Sequence, residues 1–165
     1  MFDTLLGKAK SSHKEGLCLY FREGKNAESI PWFDRAIESD PTMAYAWHDR
    51  GVCLRELGKD EEALRDFDKA VELMPADEEL LFTRAEMLKK IGILRGQKNA
   101  IEAAVRAYNK VLEINPNQAE AWNSLGSCMK QLGKGELTRQ YYESSSDLIR
   151  YGTARKKVRN FNTLV

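Results

Sequence analysis

The sequence lacks the features that usually anchor or export a protein. It contains no run of 18 consecutive apolar residues, so no segment is long enough to cross a membrane as an apolar helix. The first 12 residues include no continuous apolar stretch, which argues against a secretory signal. Only three cysteines occur, at Cys18, Cys53 and Cys128, and an odd, dispersed set argues against a disulfide framework. We therefore expect a protein of a reducing compartment, with the cytoplasm as the default.

A strong overall charge is also absent, because the net charge is +1. The cations after Asp147 form a C-terminal cluster without any acid and leave 21 cations against 25 acids in residues 1–149. We interpret the cluster as a solvated cap, with weak, salt-dependent contact to an acidic surface as the alternative. No basic face is interleaved with aromatic residues, so nucleic acid is not an expected partner. The cluster comprises Arg150, Arg155, Lys156, Lys157 and Arg159, and Val158, Phe161 and Leu164 could instead dock this tail.

What the sequence does contain is a repeat. Three residue types recur at one interval of 34 residues, with a single longer interval of 41. A period of this length built from helical segments is typical of stacked helix pairs. The markers are Gly24, Gly58, Gly92 and Gly133, then Pro41, Pro75 and Pro116, and finally Trp47 and Trp122, which lie 75 residues apart.

The second unit shows both helices of a pair most clearly. The first helix extends from about Met43 to Leu57, and Gly58 is expected to follow it as a left-handed C-cap. Asp60 is a candidate N-cap for the second helix, which continues to about Leu73. Small residues at Gly51, Ala63 and Ala70 would let the two backbones approach closely, with Trp47, Leu54 and Phe67 filling the space around them.

This unit strongly resembles a tetratricopeptide repeat, although Arg50 stands where that family usually has Leu. The first unit is weaker, because His13 replaces Trp, Leu17 replaces Gly and Pro31 should delay or bend its second helix. The third unit has seven extra residues around 93–99, which either lengthen both helices by a turn or form a loop. The matching positions are Tyr20, Gly24, Phe33, Ala36 and Pro41; Trp47, Gly51, Leu54, Gly58, Ala63, Phe67, Ala70 and Pro75; Leu81, Ala85, Leu88, Gly92, Ala104, Tyr108 and Pro116; and Trp122, Leu125, Gly126, Met129, Gly133 and Tyr142.

The resemblance implies an all-α, right-handed superhelical solenoid of four antiparallel helix pairs with a C-terminal capping extension. We expect one domain over residues 1–165, with units at about 10–41, 42–75, 76–116 and 117–150 and a basic extension at 151–165. An Asn117-x-x-Glu120 capping box should open the fourth pair.

The resemblance also implies that the first helix of each pair lines a concave face that binds a peptide or protein. The helical period then selects the residues beside the buried stripe. Tyr45 and Phe82 are the expected aromatic anchors, and Arg55, Lys89 and Lys90 are expected to set the charge preference. The candidate binding residues that we select from this face are Lys14, Phe21, Arg22, Tyr45, His48, Val52, Arg55, Phe82, Glu86, Lys89, Lys90, Asn123 and Lys130.

One subtype of the family can be tested by residue type. Chaperone-binding members hold an acidic C-terminal tail with Lys and Asn on one repeat, Asn on the next, and Lys and Arg on the third. Lys14 fits the first position here, but the sequence departs at the others, and acids in cation positions would repel a carboxylate. We therefore expect no recognition of such tails. The departing residues are Cys18, Asp49, Glu79 and Thr83, or His48, Val52, Thr83, Glu120 and Ser124 when the count begins one repeat later.

Enzyme and cofactor motifs are absent from the sequence. His13 is expected to be a packed core residue, and His48 has no Cys or Ser partner in a known motif. Cys53 and Cys128 occupy equivalent positions and are expected to be buried as small apolar groups. The sequence Gly92-x3-Gly96-x-Lys98 lacks phosphate-loop spacing and predicts a turn. We expect no enzyme activity, no metal and no cofactor.

The leading functional hypothesis is a scaffold that holds a peptide segment or partner helix in its concave groove. Two alternatives remain open. One is a self-assembly module in which the chain forms homo-oligomers. The other is a regulatory segment of a larger complex that makes contact through its convex face or through the extra residues 93–99.

Overall fold

The computed structural model describes residues 2–152 and contains eight α-helices in this range. Consecutive helices pack as four antiparallel pairs joined by turns of two or three residues. The prediction of an all-α, paired-helix fold is therefore confirmed. The helices are α1 (Phe2–Glu23), α2 (Asn26–Ser39), α3 (Ala44–Glu56), α4 (Asp60–Leu73), α5 (Glu78–Arg95), α6 (Lys98–Ile114), α7 (Ala119–Gln131) and α8 (Gly135–Tyr151).

The chain divides into two compact units between Pro75 and Ala76. Unit 1 contains α1–α4, and its second pair packs on its first through α2 and α3. Unit 2 contains α5–α8, in which α6 and α7 make the corresponding contact. The residues that the repeat pattern places inside the pairs are buried: Phe33, Ala36, Leu54, Ala63, Phe67, Ala70, Ala85, Ala104, Tyr108 and Trp122.

A glycine of the first helix contacts an aromatic ring of the second in three of the four pairs. A Cβ atom added to Gly51 would lie 2.7 Å from Phe67 Cε1, and one added to Gly126 would lie 2.7 Å from Tyr142 Cδ1. Real Cβ atoms do not approach other atoms so closely, so only glycine allows the ring to lie against the helix backbone. The third such contact, between Gly16 and Phe33, has the same distance of 2.7 Å.

This third contact corrects the register predicted for the first pair. The sequence placed Leu17 in the glycine position of unit 1, but Gly16 is the residue that lies against Phe33, as Gly51 lies against Phe67. The prediction is wrong by one residue because α1 has one more residue between this glycine and the Gly24 turn than α3 has before its own turn.

The same one-residue correction applies to His13. The ring of His13 lies 5.7 Å from the aromatic ring of its own pair, as does the ring of His48. His13 is therefore the equivalent of His48, and Ser12 stands where Trp47 stands in the second pair. The prediction that His13 replaces the buried Trp is wrong.

The shared interval of tryptophan and proline has a direct cause. The indole Nε1 of Trp47 donates a hydrogen bond to the carbonyl oxygen of Pro41 at 3.0 Å, and Trp122 donates to Pro116 at 2.8 Å. Each bond fixes the start of a first helix against the turn that precedes it. Each indole N–H, that of the buried Trp122 included, thereby bonds to a backbone carbonyl.

Gly92 does not mark a turn as its spacing predicted. Gly92 lies inside α5 with its Cα facing Ile101, and Gly96 is the residue in the left-handed conformation, with φ of 64°. Gly24, Gly58 and Gly133 do adopt positive φ at their turns, as expected.

The seven extra residues lengthen both helices of the third pair. Helix α5 has 18 residues against 13 in α3, and α6 has 17 against 14 in α4. The turn between α5 and α6 is one residue shorter than the turn between α3 and α4. Of the two sequence hypotheses, the longer hairpin is therefore correct and the protruding loop is wrong.

Two local predictions about helix starts are also wrong, and so is the delayed start of α2, which was one of the two effects expected of Pro31. Asp60 is the first residue of α4 and not its side-chain cap, because Lys59 occupies the N-cap position. Gln118 is the N-cap of α7, while Asn117 accepts no capping bond and instead donates its backbone N–H to Asn115 Oδ1. Helix α2 begins at Asn26 and continues through Pro31, so proline does not delay it.

The glycine contact predicts a stability difference between two helical glycines. Gly51→Leu should lower the free energy of unfolding by about 1–3 kcal/mol or more, because Phe67 is fully buried and leaves no room. Gly7→Ala in α1 is the control, since a Cβ there meets nothing within 4 Å. This change should raise the free energy of unfolding by about 0.5–1 kcal/mol, because alanine favours the helix over glycine. Urea unfolding followed by circular dichroism measures both. A neutral Gly51→Leu would contradict the close approach.

Asparagine separates the roles of Gly92 and Gly96, since it tolerates the left-handed conformation. Gly96→Asn should lower the free energy of unfolding by less than about 1 kcal/mol, because nothing lies within 4 Å of a Cβ at that position. Gly92→Asn should cost about 1–3 kcal/mol or more, because its Cβ would lie 2.6 Å from Ile101 Cγ1 and 3.0 Å from the Ile101 backbone nitrogen. Equal costs in the same unfolding measurement would contradict this assignment of the turn.

Candidate functional site

Unit 2 contains an open pocket of about 520 Å³ between α5, α7 and α8, called here the unit 2 pocket. It lies on the side of α5 and α7 that the sequence identified as the binding face. Four of its residues belong to the predicted binding set and five do not. The lining residues are Phe82, Glu86, Lys89 and Asn123 from that set, with Ala119, Glu120, Ser124, Ser145 and Ile149.

Glu86 organises the polar side of this pocket. Its Oε1 atom accepts hydrogen bonds from the Tyr108 hydroxyl at 2.5 Å, the Ser124 hydroxyl at 2.6 Å and the Lys89 ammonium at 2.7 Å. The Lys89 ammonium also donates to Ser124 Oγ at 2.9 Å. These bonds join α5, α6 and α7, so the network fixes the first helices of unit 2 relative to each other.

The network keeps Glu86 ionised at neutral pH. Burial is the largest single influence and would raise the pKa of Glu86, but the hydrogen bonds from Lys89, Ser124 and Tyr108 together outweigh it and lower the pKa below its ordinary value. Burial, with the neighbouring charge of Glu86, raises the pKa of Tyr108. Tyr108 therefore remains a donor and Glu86 an acceptor.

The other side of the pocket is apolar. The Phe82 ring is half-buried and meets the Tyr108 ring edge-on, with the ring centroids 5.9 Å apart. Ile149 on α8 is 76% exposed. The Ser145 hydroxyl donates to the Ala119 carbonyl oxygen at 2.9 Å and holds α8 against the start of α7. The pocket thus has an aromatic wall from α5 and an aliphatic wall from α8.

The sequence did not identify the contribution of α8. The sequence analysis placed the binding face on first helices alone, so neither Ile149 nor Ser145 was among the candidate residues. Within residues 2–152 no helix follows α8, which leaves the apolar Ile149 side chain open to the pocket. The available signal was an apolar residue on the outer side of the last described helix.

Asp49 is the centre of a second polar cluster, in unit 1. Its Oδ2 atom lies 2.6 Å from His13 Nε2 and its Oδ1 atom lies 2.9 Å from His48 Nδ1. Burial would raise the pKa of Asp49, but the hydrogen bonds to both imidazoles outweigh it and lower the pKa. The sequence considered Asp49 only as a clamp position, yet it links α1 to α3.

The predicted binding residues of α3 have unequal access to solvent. His48 is buried, while Tyr45 and Val52 are half-buried, and the Tyr45 ring stands edge-on to the His48 ring at 6.2 Å. Arg55 donates to the neighbouring Glu56 carboxylate at 3.1 Å. Its charge is therefore partly satisfied within the same helix.

The predicted binding residues of α1 follow the wrong register. Lys14, Phe21 and Arg22 are exposed, with Phe21 75% exposed and its ring against Tyr20 at 4.9 Å. Tyr20, predicted as a repeat-core residue, is instead the equivalent of Arg55. Burial and the charge of Glu56 raise the pKa of Tyr20, which agrees with a position facing α3.

Two further predicted residues lie outside the unit 2 pocket. Lys90 is half-buried on α5 and Lys130 is exposed on α7, and neither lines it. The C-terminal cluster after Arg150, with Val158, Phe161 and Leu164, lies outside the described residues.

Arg50, the departure from the usual Leu, is a structural residue of unit 1. Its guanidinium donates two bonds to Asp66, at 2.7 and 2.8 Å, and one to Asp34 at 2.6 Å. It also stacks on the Trp47 ring at 4.8 Å. The ion group joins α2, α3 and α4, so a charged side chain takes the place of an apolar contact.

The two equivalent cysteines are buried, as predicted. Burial raises the pKa of Cys53 to about 11 and the pKa of Cys128 to about 12. Both thiols are therefore protonated at neutral pH. In the part of the chain that the structure describes, no three His, Cys, Asp or Glu side chains come together as metal ligands, and no helix has the length and apolarity to cross a membrane.

Comparison with curated proteins identifies relatives that contain similar segments. Hsp70-Hsp90 organizing protein 3 of Arabidopsis thaliana is 26% identical over 140 residues, which are 83% of this chain and 23% of that protein. Tetratricopeptide repeat protein 33 of Xenopus laevis is 31% identical over 105 residues, which are 64% of this chain and 37% of that protein. The chain thus spans well under half the length of these relatives.

Solved structures show the same fold. A MamA structure (MSR-1) matches with a TM-score of 0.74 at 16% identity, over 88% of this chain and 79% of that chain. The first TPR of Spaghetti (RPAP3), bound to the HSP90 peptide SRMEEVD, matches with a TM-score of 0.68 at 27% identity, over 78% and 95% of the two chains.

Three family models described as TPR or tetratricopeptide repeat match residues 9–43, 44–77 and 96–133. Together with the glycine–aromatic contacts of the helix pairs, these matches show that the chain belongs to the tetratricopeptide repeat family of protein-binding modules.

Proposed function

We propose that this module holds a peptide segment or a partner helix on the faces formed by the first helices of its pairs. In unit 1 the anchor is Tyr45 on α3, and in unit 2 it is Phe82 on α5. The unit 2 pocket carries this proposal, because an aromatic wall, an exposed aliphatic wall and ionised groups meet in one open cavity. An apolar cavity with a few polar groups is the usual form of a peptide side-chain site.

We further propose that the module does not recognise acidic C-terminal tails by a two-carboxylate clamp. In the corrected register, His13 and Leu17 replace Lys14 and Cys18 at the first two clamp positions. Asp49, at the third, places its own carboxylate between His13 and His48. An internal carboxylate already uses the donors that a ligand would need, and it would repel a second one.

The chain spans 23% or less of the first four curated relatives, so the function of a longer protein is a separate proposal. We propose that it acts as a scaffold segment that brings a partner to other domains, and not as an enzyme. The three free cysteines fit the cytoplasmic setting that we expect.

The heptapeptide SRMEEVD tests the exclusion of acidic tails. We expect no binding by isothermal titration calorimetry up to about 100 μM peptide, because a Kd above this value corresponds to less than about 5.5 kcal/mol of binding free energy. The HSP90-bound first TPR of Spaghetti (RPAP3) is the positive control under the same buffer conditions. A micromolar Kd for this chain would contradict the proposal.

Loss of both anchors tests the binding face. Peptides selected from a random display library on the immobilised chain should bind at least about tenfold more weakly to Tyr45→Ala/Phe82→Ala, since each buried aromatic contact contributes more than about 1 kcal/mol. Trp32→Ala is the matched control, because Trp32 is also half-buried but lies on the second helix of its pair. Circular dichroism and unfolding confirm that each variant is folded.

Two outcomes would reject the binding-face proposal. One is selected peptides that bind the anchor variant fully but lose binding on Leu94→Ser, which alters the exposed end of α5 within the extra residues 93–99. The other is light scattering in which particle size rises with concentration and the anchor variant stays monomeric, which would identify the face as a contact between copies.

A further inference from the structure

The polar groups of the unit 2 pocket are not all used within the protein. All three donors to Glu86 end on its Oε1 atom, and its Oε2 atom accepts no hydrogen bond from the described residues. The Glu86 side chain is 32% exposed, so Oε2 is within reach of a ligand in the pocket. The Glu86 carboxylate is thus held in place through Oε1, and Oε2 is available to accept a hydrogen bond from a ligand.

Two more lining residues have no partner among residues 2–152. The Glu120 carboxylate and the Asn123 amide, one helical turn apart on α7, are exposed and make no hydrogen bond or ion pair there. Lys89 is the lining cation, and its ammonium already donates to Glu86 and Ser124. The lining residues therefore include two carboxylates, Glu86 and Glu120, and one cation, Lys89, so the pocket has a net negative charge. Lys89 compensates the charge of Glu86, and the charge of Glu120 has no such partner among residues 2–152.

The apolar groups border this negative charge on two sides. Phe82 and Ile149 form walls on α5 and α8, and Ile149 has 76% of its surface in solvent. An occupant that buries Ile149 gains the free energy of removing this apolar surface from water. An occupant that also carries a cation gains from Glu86 Oε2 and Glu120, whereas an anion is repelled by both.

We infer that the unit 2 pocket takes a basic-apolar partner segment, in which an aliphatic or aromatic side chain enters between Phe82 and Ile149 and an adjacent Lys or Arg pairs with Glu86 and Glu120. This inference rests on the proposed function, since it names the chemistry of the partner on the same face. Asn123, with a donor and an acceptor on one amide, fits the peptide backbone between these two side chains.

Two labelled hexapeptides test the charge preference by fluorescence anisotropy with the full chain. The basic probe is Leu-Lys-Leu-Arg-Leu-Lys, and the acidic probe replaces its three cations with Glu. The basic probe should bind at least tenfold more tightly than the acidic probe in 50 mM NaCl, and this ratio should fall at 300 mM NaCl because the charges are partly exposed.

Matched variants locate the bound probe. Glu120→Gln should weaken binding of the basic probe about threefold and leave binding of the acidic probe unchanged or tighter. Ile149→Ser should weaken binding of both probes at least fivefold. Glu113→Gln on α6 makes the same change as Glu120→Gln, and Leu94→Ser on α5 likewise replaces an exposed aliphatic side chain with Ser. They are the controls, because neither position lines the pocket. Both controls should bind the probes as the unchanged chain does.

The outcomes separate this inference from the proposed function. Equal binding of both probes, with loss on Ile149→Ser, would overturn the charge preference and leave the binding face standing. Binding of the basic probe that is unaffected by both Glu120→Gln and Ile149→Ser would overturn the pocket assignment. Displacement of the basic probe by a synthetic peptide of residues 153–165 at lower concentration than by unlabelled probe would overturn the assignment to a separate partner, and would assign the pocket to this chain's own basic segment.

Discussion

The packing of the helix pairs depends on an aromatic ring lying directly against the backbone of the neighbouring helix. Gly16, Gly51 and Gly126 each leave the space of one side chain, and Phe33, Phe67 and Tyr142 occupy it. Because the ring touches backbone atoms and not a flexible side chain, the distance between the two helix axes cannot relax without losing the contact. The pair then behaves as one rigid element, and its first helix presents a fixed set of side chains on the opposite side.

Polar groups on that opposite side are arranged in the same way in both units. A carboxylate is held by groups of neighbouring helices, Asp49 by two imidazoles in unit 1 and Glu86 by three donors in unit 2. In a half-buried setting such a carboxylate remains charged only because these bonds outweigh its desolvation. The networks therefore do two things at once: they fix the spacing of the first helices, and they determine how much negative charge remains for a ligand.

Local departures from the repeat pattern have specific structural causes. Arg50 replaces an apolar contact with a bidentate ion pair to Asp66 and a further bond to Asp34, so its charge is compensated inside unit 1. The longer third pair keeps its close approach by using Gly92 against Ile101, one turn before the true turn residue Gly96. In both places the helix pair retains its packing although the residue type or length has changed.

The sequence alone determined the family, the number of helix pairs and most of the core, because glycine, proline and aromatic residues at a period of 34 can satisfy their contacts only in stacked helix pairs. It misplaced Gly16 and His13, since one extra residue in a helix turns every following side chain by about 100° while leaving the spacing of the turns almost unchanged. It misplaced Gly92 because the extra residues of the third pair lengthen its helices, so the glycine at the 34-residue interval falls inside α5 and not at its end. Only the tertiary structure decided the candidate site. The exposed Ile149 wall and the Glu86 oxygen that accepts no bond from residues 2–152 arise where three helices meet, and no pattern within one helix records which side chains from different helices share a cavity.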